Sequence, residues 1–187
     1  MNLDRPDIGI VYCKNSFEAF ELVEIENEMT AHGLKLMTHE RSPYVNASID
    51  FFIPFLQILI SPEMVTALSQ GLLTNAAYDG IKALLKRIYN KFHKKPVIKI
   101  QGGNITEETA NIHFVVGNNH LVLPLDIDTE KFEYVVDKFM SVAATSAPIE
   151  TTYTFFSEKD DAVLSKPENE IIREEYEKQQ SNNNQET

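Results

Sequence analysis

Apolar and polar positions along this chain switch repeatedly between the period of two that marks strands and the period of 3.6 that marks helices. Ile8 to Cys13, IGIVYC, is a short run rich in β-branched and aromatic residues and predicts a buried strand. Asn15 follows as a helix N-cap, with Glu18 three residues on in the spacing of a capping box. The predicted helix runs to about Ala31, with Ala19, Phe20, Leu22 and Val23 on its inner side and Glu21, Glu24 and Glu28 on its outer side; Gly33 ends it. Leu34 to Glu40 alternates as a second strand. Strand–helix–strand within one sheet implies a right-handed connection.

Arg41 to Asp50 is a polar connector leading to FFIPFLQILI, Phe51 to Ile60, where only Pro54 and Gln57 are not large and apolar. Two readings compete for this run: a buried strand, which its length favours, and the first half of a hydrophobic helix broken at Ser61-Pro62. Ser61 as N-cap, Pro62 at the first helical position and Glu63 in the first turn form the strongest helix start in the chain. That helix continues through Met64, Val65 and Leu68, with Gly71 as a candidate kink. From Ala77 to Phe92 one face carries Ala77, Tyr78, Ile81, Leu84, Leu85, Ile88, Tyr89 and Phe92, and the opposite face carries Lys82, Lys86, Asn90 and His93. His93-Lys94-Lys95 suits the negative end of the helix dipole, and Pro96 stops the helix.

Pro96 to Gln101 reads as a strand and Gly102-Gly103-Asn104 as a turn. Asn111 to Val116 and His120 to Leu125 form the clearest β-hairpin, joined around Gly117-Asn118-Asn119. Asp128 caps a further helix, with Phe132, Val135, Val136, Phe139 and Met140 inward, ending near Ala144. Thr151 to Phe156 is a last predicted strand. Beyond Ser157, nine acids against four bases and a terminal SNNNQET read as a polar helix followed by disorder. The expected fold is therefore α/β or α+β. A single mixed sheet has a strand–helix–strand start, a long central helical region within 51–95, a β-hairpin and a C-terminal helix packed on it. Residues 1–156 form one domain and 157–187 an acidic tail. This order of elements resembles the layout of small adaptor-like modules of bacterial conflict systems, which implies an adaptor role.

Charge changes that picture in one place. The formal net charge is -11, which argues against a general nucleic-acid binder. Yet seven of the 17 Lys and Arg residues fall between Lys82 and Lys99, and no acid falls between Asp79 and Glu107. The expectation is one positive patch, Lys82, Lys86, Arg87, Lys91, Lys94 and Lys95, on a negative body. Such a patch beside an apolar run would dock on an acidic protein partner or an anionic membrane surface. The plainer account of the same helix is core packing with a solvated lysine face. The acidic tail, with Glu168, Glu170, Glu174, Glu175 and Glu177, is a candidate cover for that face.

Candidate chemistry is sparse. Cys13 lies at the C-terminal end of the first strand before a predicted helix N-terminus, where ligands bind in open sheets and thiols are activated. With Asn15 and Ser16 it defines the pocket of an alternative enzyme or ligand-binding reading. The loop nevertheless lacks the glycines of a phosphate cradle, and a small buried apolar role is the commoner one. His113 and His120 share a hairpin face without a third ligand; His39-Glu40 faces water. Asp126 and Asp128 are spaced for a cation, but one is needed as an N-cap. Gly102-Gly103 lacks dinucleotide-fingerprint spacing. No metal, cofactor or catalytic residue is expected beyond the candidates Cys13 and Ser16.

The single cysteine and the absence of a leader-like start predict a reducing, cytoplasmic setting, peripheral at a membrane if the patch meets lipid. Asn46-Ala-Ser48 and Asn104-Ile-Thr106 are then chance matches to the glycosylation pattern. The primary expectation is a non-catalytic interaction module docking through 51–95. A homo-oligomer with Phe51 to Ile60 between subunits is the third reading.

Overall fold

The computed structural model describes residues 5–41, 55–101, 104–109, 111–145, 148–157 and 162–183. The chain runs β1 (Ile8–Cys13), α1 (Ala19–Ala31), β2 (Leu36–Arg41), β3 (Leu56–Ile60), α2 (Pro62–Ser69), α3 (Asn75–Phe92), β4 (Pro96–Gln101) and β5 (Asn104–Thr109). It continues as β6 (Asn111–Val116), β7 (Asn119–Pro124), α4 (Thr129–Thr145), β8 (Thr152–Ser157), β9 (Ala162–Pro167) and α5 (Glu168–Asn183). Seven strands make one mixed sheet in the order β2-β1-β3-β6-β7-β8-β9, and β4 and β5 pair separately. The three parallel pairs, β1·β2, β3·β6 and β7·β8, are those bridged by helices; the other ladders are antiparallel.

Period-two alternation gives the sheet two different faces. On one, Ile8, Ile10, Leu56, Ile58, Phe114 and Leu121 are buried in a single core with Ile25 and Met29 of α1, the apolar stripe of α3, and Phe132, Val135 and Phe139 of α4. On the other, Val122, Tyr153 and Phe155 form a small cluster with Ile171 of α5. The tail thus contributes a strand, β9, and a helix packed on the sheet. β9 fell within the part of the sequence read as polar tail, because AVLSKP has no apolar alternation.

Local chemistry explains most boundaries. Ser61 Oγ accepts the Met64 N–H at 3.2 Å, with Pro62 in the first turn. Gly71, at φ +67, and the Thr74 cap turn the expected kink into a break between two helices. α1 begins later than Asn15 suggested. Asn15 instead takes a left-handed turn conformation, φ 65, and Glu18 becomes the N-cap, its N–H donating to the Glu21 carboxylate at 2.8 Å. The later start re-aims the helix. Ile25 and Met29 face the core, whereas Phe20 and Val23 are 64% and 55% exposed. The strand expected over Leu34–Glu40 begins at Leu36, and the second hairpin strand at Asn119. β5 was not foreseen. Of the run from Phe51, residues 51–54 lie outside the described residues, and Leu56–Ile60 form the strand β3, in the interior of the sheet between β1 and β6.

At Gly80, α3 packs closely against the turn that follows α1. A Cβ there would sit 2.8 Å from the Cβ and 2.9 Å from the Cγ of His32, and 3.0 Å from Leu34 Cδ1. Nδ1 of His32 also donates to the Ala76 carbonyl at 2.9 Å, which holds its ring in place. Gly80→Ala is therefore expected to destabilise the protein by about 1–2 kcal/mol, overpacking outweighing the ~1 kcal/mol that alanine gains in a helix. A urea titration checks the sign; a raised midpoint would disprove the close contact.

Candidate interaction surface

The basic face of α3 is built into the protein. α3 lies between α1 and α4, and both neighbours turn acids toward it. Lys82 meets Asp137 at 2.6 Å and Lys86 meets Glu133 at 2.5 Å, both on α4. Arg87 meets Glu28 at 3.1 Å and also Glu24, and Lys91 meets Glu21, all on α1. The hydrogen bond from Lys91 is the main reason the Glu21 carboxyl is held below its usual range. The hydrogen bond to Asp137 pushes the Lys82 ammonium up. Of the six patch residues, Lys94 and Lys95 alone have no ion pair among the described residues. Both are exposed, at the end of α3. Lys94 is held in a left-handed conformation, φ 56, with its N–H on the Leu125 carbonyl at 2.9 Å, and Lys95 Nζ lies 6.0 Å from the Phe92 ring centroid. The described part of the tail does not cover this face. α5 packs on the opposite side of the sheet, anchored by Ile171 and by Lys166, which meets Glu170 at 3.8 Å and also Glu174.

The end of β1, where Cys13, Asn15 and Ser16 were expected to line a pocket, holds aromatic rings. Tyr12, Phe17, Phe55 and Phe92 meet edge to face at centroid distances of 5.1–5.4 Å. Cys13 is half-buried and its thiol donates to the Phe55 carbonyl at 3.4 Å. The first helical residue is Ala19, so the thiol is not set at a helix N-terminus. Ser16 is used in the turn, its N–H donating to the Cys13 carbonyl at 3.1 Å.

His113 and His120 do share a face, diagonal to each other across β6 and β7 and beside Tyr153, at ring distances of 6.3 and 5.0 Å. Burial pulls the His120 imidazole down and, with Glu168 adding to it, pushes the Tyr153 phenol up to about 12. Asp126 and Asp128 are exposed at the β7–α4 junction, where the Asp128 carbonyl accepts the Phe132 N–H. His39 and Glu40 are exposed in β2. Gly102-Gly103 lies outside the described residues. No cluster of three His, Cys, Asp or Glu able to hold a metal occurs among the described residues. No helix among them is long and apolar enough to cross a membrane.

A different surface emerges from the ladder registers. On the face opposite α3, one row across the sheet reads Met37, Gly9, Leu59, Val115, His120, Tyr153, and the next reads His39, Val11, Gln57, His113, Val122, Phe155. α5 packs on the β7–β8 end of these rows. At the other end, Val11, Leu59 and Val115 are half-buried and join neither core cluster, and Met37 is 55% exposed. On this face β1, β2, β3 and β6 carry His39, Arg41 and His113 and no carboxylate among the described residues. Gly9 leaves a notch between Met37 and Leu59 that its own fold does not require. A Cβ there would make ordinary contacts of 3.6 and 3.7 Å with Leu59. Only the half-apolar second face of IGIVYC signalled this surface in the sequence.

No protein-family model matches the chain, and no curated protein or solved structure is significantly similar to it.

Proposed function

We propose that this protein is a non-catalytic interaction module that docks an acidic protein partner on the open half of its sheet, over β1, β2, β3 and β6. The observation that carries this reading is the half-apolar character of that half-face, without a carboxylate among its described residues, on a chain of net charge -11. Val11, Met37, Leu59 and Val115 supply apolar contact, and the exposed His39 suits a partner bearing carboxylates. The expected segment 51–95 then contributes through Leu59 in its strand rather than through the α3 cations, of which Lys82, Lys86, Arg87 and Lys91 already serve internal pairs. The notch at Gly9 allows a partner backbone to approach closely. Docking on an anionic membrane, the other use of the basic segment, would rest on Lys94 and Lys95.

Site-specific photo-crosslinking tests this. A photoreactive residue placed at Met37, at Lys94 or at Tyr176 is irradiated in cells. The same acidic protein, distinct from a second copy of this chain, is expected from the Met37 position only, and Leu59→Glu should abolish its capture. Capture from Lys94 alone, or sedimentation of the purified protein with phosphatidylserine vesicles, would return the interface to the end of α3. No adduct from Met37 would overturn the proposal.

A further inference from the structure

The outer edge of β2 is unpaired among the described residues, and its protection is limited to the charges of Glu40 and Arg41 at its end. It has no proline, lysine or bulge, it pairs with β1 over all six residues, and its four middle residues are exposed. The opposite edge differs: β9 contains Lys166 and Pro167 and lies beside α5. We propose that β2 pairs antiparallel with β2 of a second copy, about a two-fold axis passing at Thr38.

The register follows from the phase of the backbone. Ile8 and Lys14 donate to the carbonyls of Lys35 and Arg41, so the odd-numbered residues of β2 turn their peptide groups toward β1. The peptide groups of Leu36, Thr38 and Glu40 therefore point outward. A two-fold axis requires antiparallel pairing and places a residue opposite its own symmetry mate. Only Thr38 opposite Thr38 brings all three outward residues into hydrogen-bonded pairs, two bonds each and about six in all. That register sets Leu36 against the partner's Glu40 and Met37 against the partner's His39, and at each end it sets Arg41 against the partner's Lys35, a like-charged pair at the exposed rim. It also brings the two open half-faces edge to edge, with the exposed Met37 side chains at the join. The dimer stands or falls independently of the docking reading.

Hydrogen-bonded antiparallel partners have Cα atoms about 5.5 Å apart, inside the range a disulfide spans, whereas residues one step off the axis on the same face are too far from their own mates. In a Cys13→Ser background, Thr38→Cys should form a disulfide-linked dimer on mild oxidation. Met37→Cys and His39→Cys should not do so singly, but should when mixed. Sedimentation should show a concentration-dependent dimer for the unmodified chain and a monomer with unchanged circular dichroism for Thr38→Pro, whose lost N–H points outward. Thr38→Lys serves the same end if the proline variant misfolds. A monomer at every concentration for the unmodified chain, a dimer that survives Thr38→Pro or Thr38→Lys, or cross-linking of Met37→Cys as fast as Thr38→Cys would overturn the proposal.

Discussion

Phe114→Ala should lower the unfolding free energy by about 3–5 kcal/mol. Phe114 is fully buried on β6, with Ile58 of β3 on one side and Leu121 of β7 on the other. Its ring meets Phe139 of α4 edge to face at a centroid distance of 5.6 Å. Removing it opens a cavity where two strands and a helix meet, and backbone ladders on both sides prevent collapse. Against the ~5–15 kcal/mol total of a typical domain, such a loss leaves a marginal fold. Urea denaturation followed by circular dichroism measures it, and a loss below about 1 kcal/mol would show that the site repacks. Phe20→Ala is the natural control. Its exposed ring makes it a surface change, expected within ~0.5 kcal/mol of neutral.

Reversing Lys86, Arg87 and Lys91 together to glutamate should cost about 2–4 kcal/mol of stability. Each lost pair contributes ~0.2–1 kcal/mol at such half-exposed positions, and each new glutamate adds a repulsion of similar size. Three acids would then face Glu21, Glu24, Glu28 and Glu133 along both flanks of α3. The penalty should shrink in high salt, since these side chains reach solvent. Neutral glutamine replacements at the same positions should cost roughly half as much, separating lost attraction from new repulsion. Unchanged denaturation midpoints in low salt would mean that the charged seam contributes nothing to helix packing. Reversal without a stability measurement would not distinguish a lost interface from a loosened helix layer.

The elements that could be read from the sequence are those whose signal is local. The Ser61-Pro62 helix start, the α3 stripe and the β6–β7 hairpin each follow from residues within one or two turns of one another. The errors arise where a distant partner decides. α1 presents apolar residues on two sides, and which side is buried depends on α3, whose Arg87 and Lys91 draw Glu21, Glu24 and Glu28 inward from 59 to 70 residues away. NITEET and AVLSKP have no strand period of their own and become strands by pairing with β4 and β8. The candidate cations were individually legible, but their counterions were not, because linear charge spacing says nothing of contacts made across helices. The open half-face required the ladder registers as well as the strands.

The interior position of β3 also has a consequence for how the chain is made. Its β1 neighbour precedes it, but its other neighbour, β6, begins only at Asn111. At a synthesis rate of ~5–20 residues per second, the stretch between Ile60 and β6 takes about 3–10 s to add. Throughout that interval one edge of a strongly apolar strand lacks its final partner. A nascent chain of this length is the form that holding chaperones should favour, and a ribosome paused within the α3–β5 stretch would prolong its exposure.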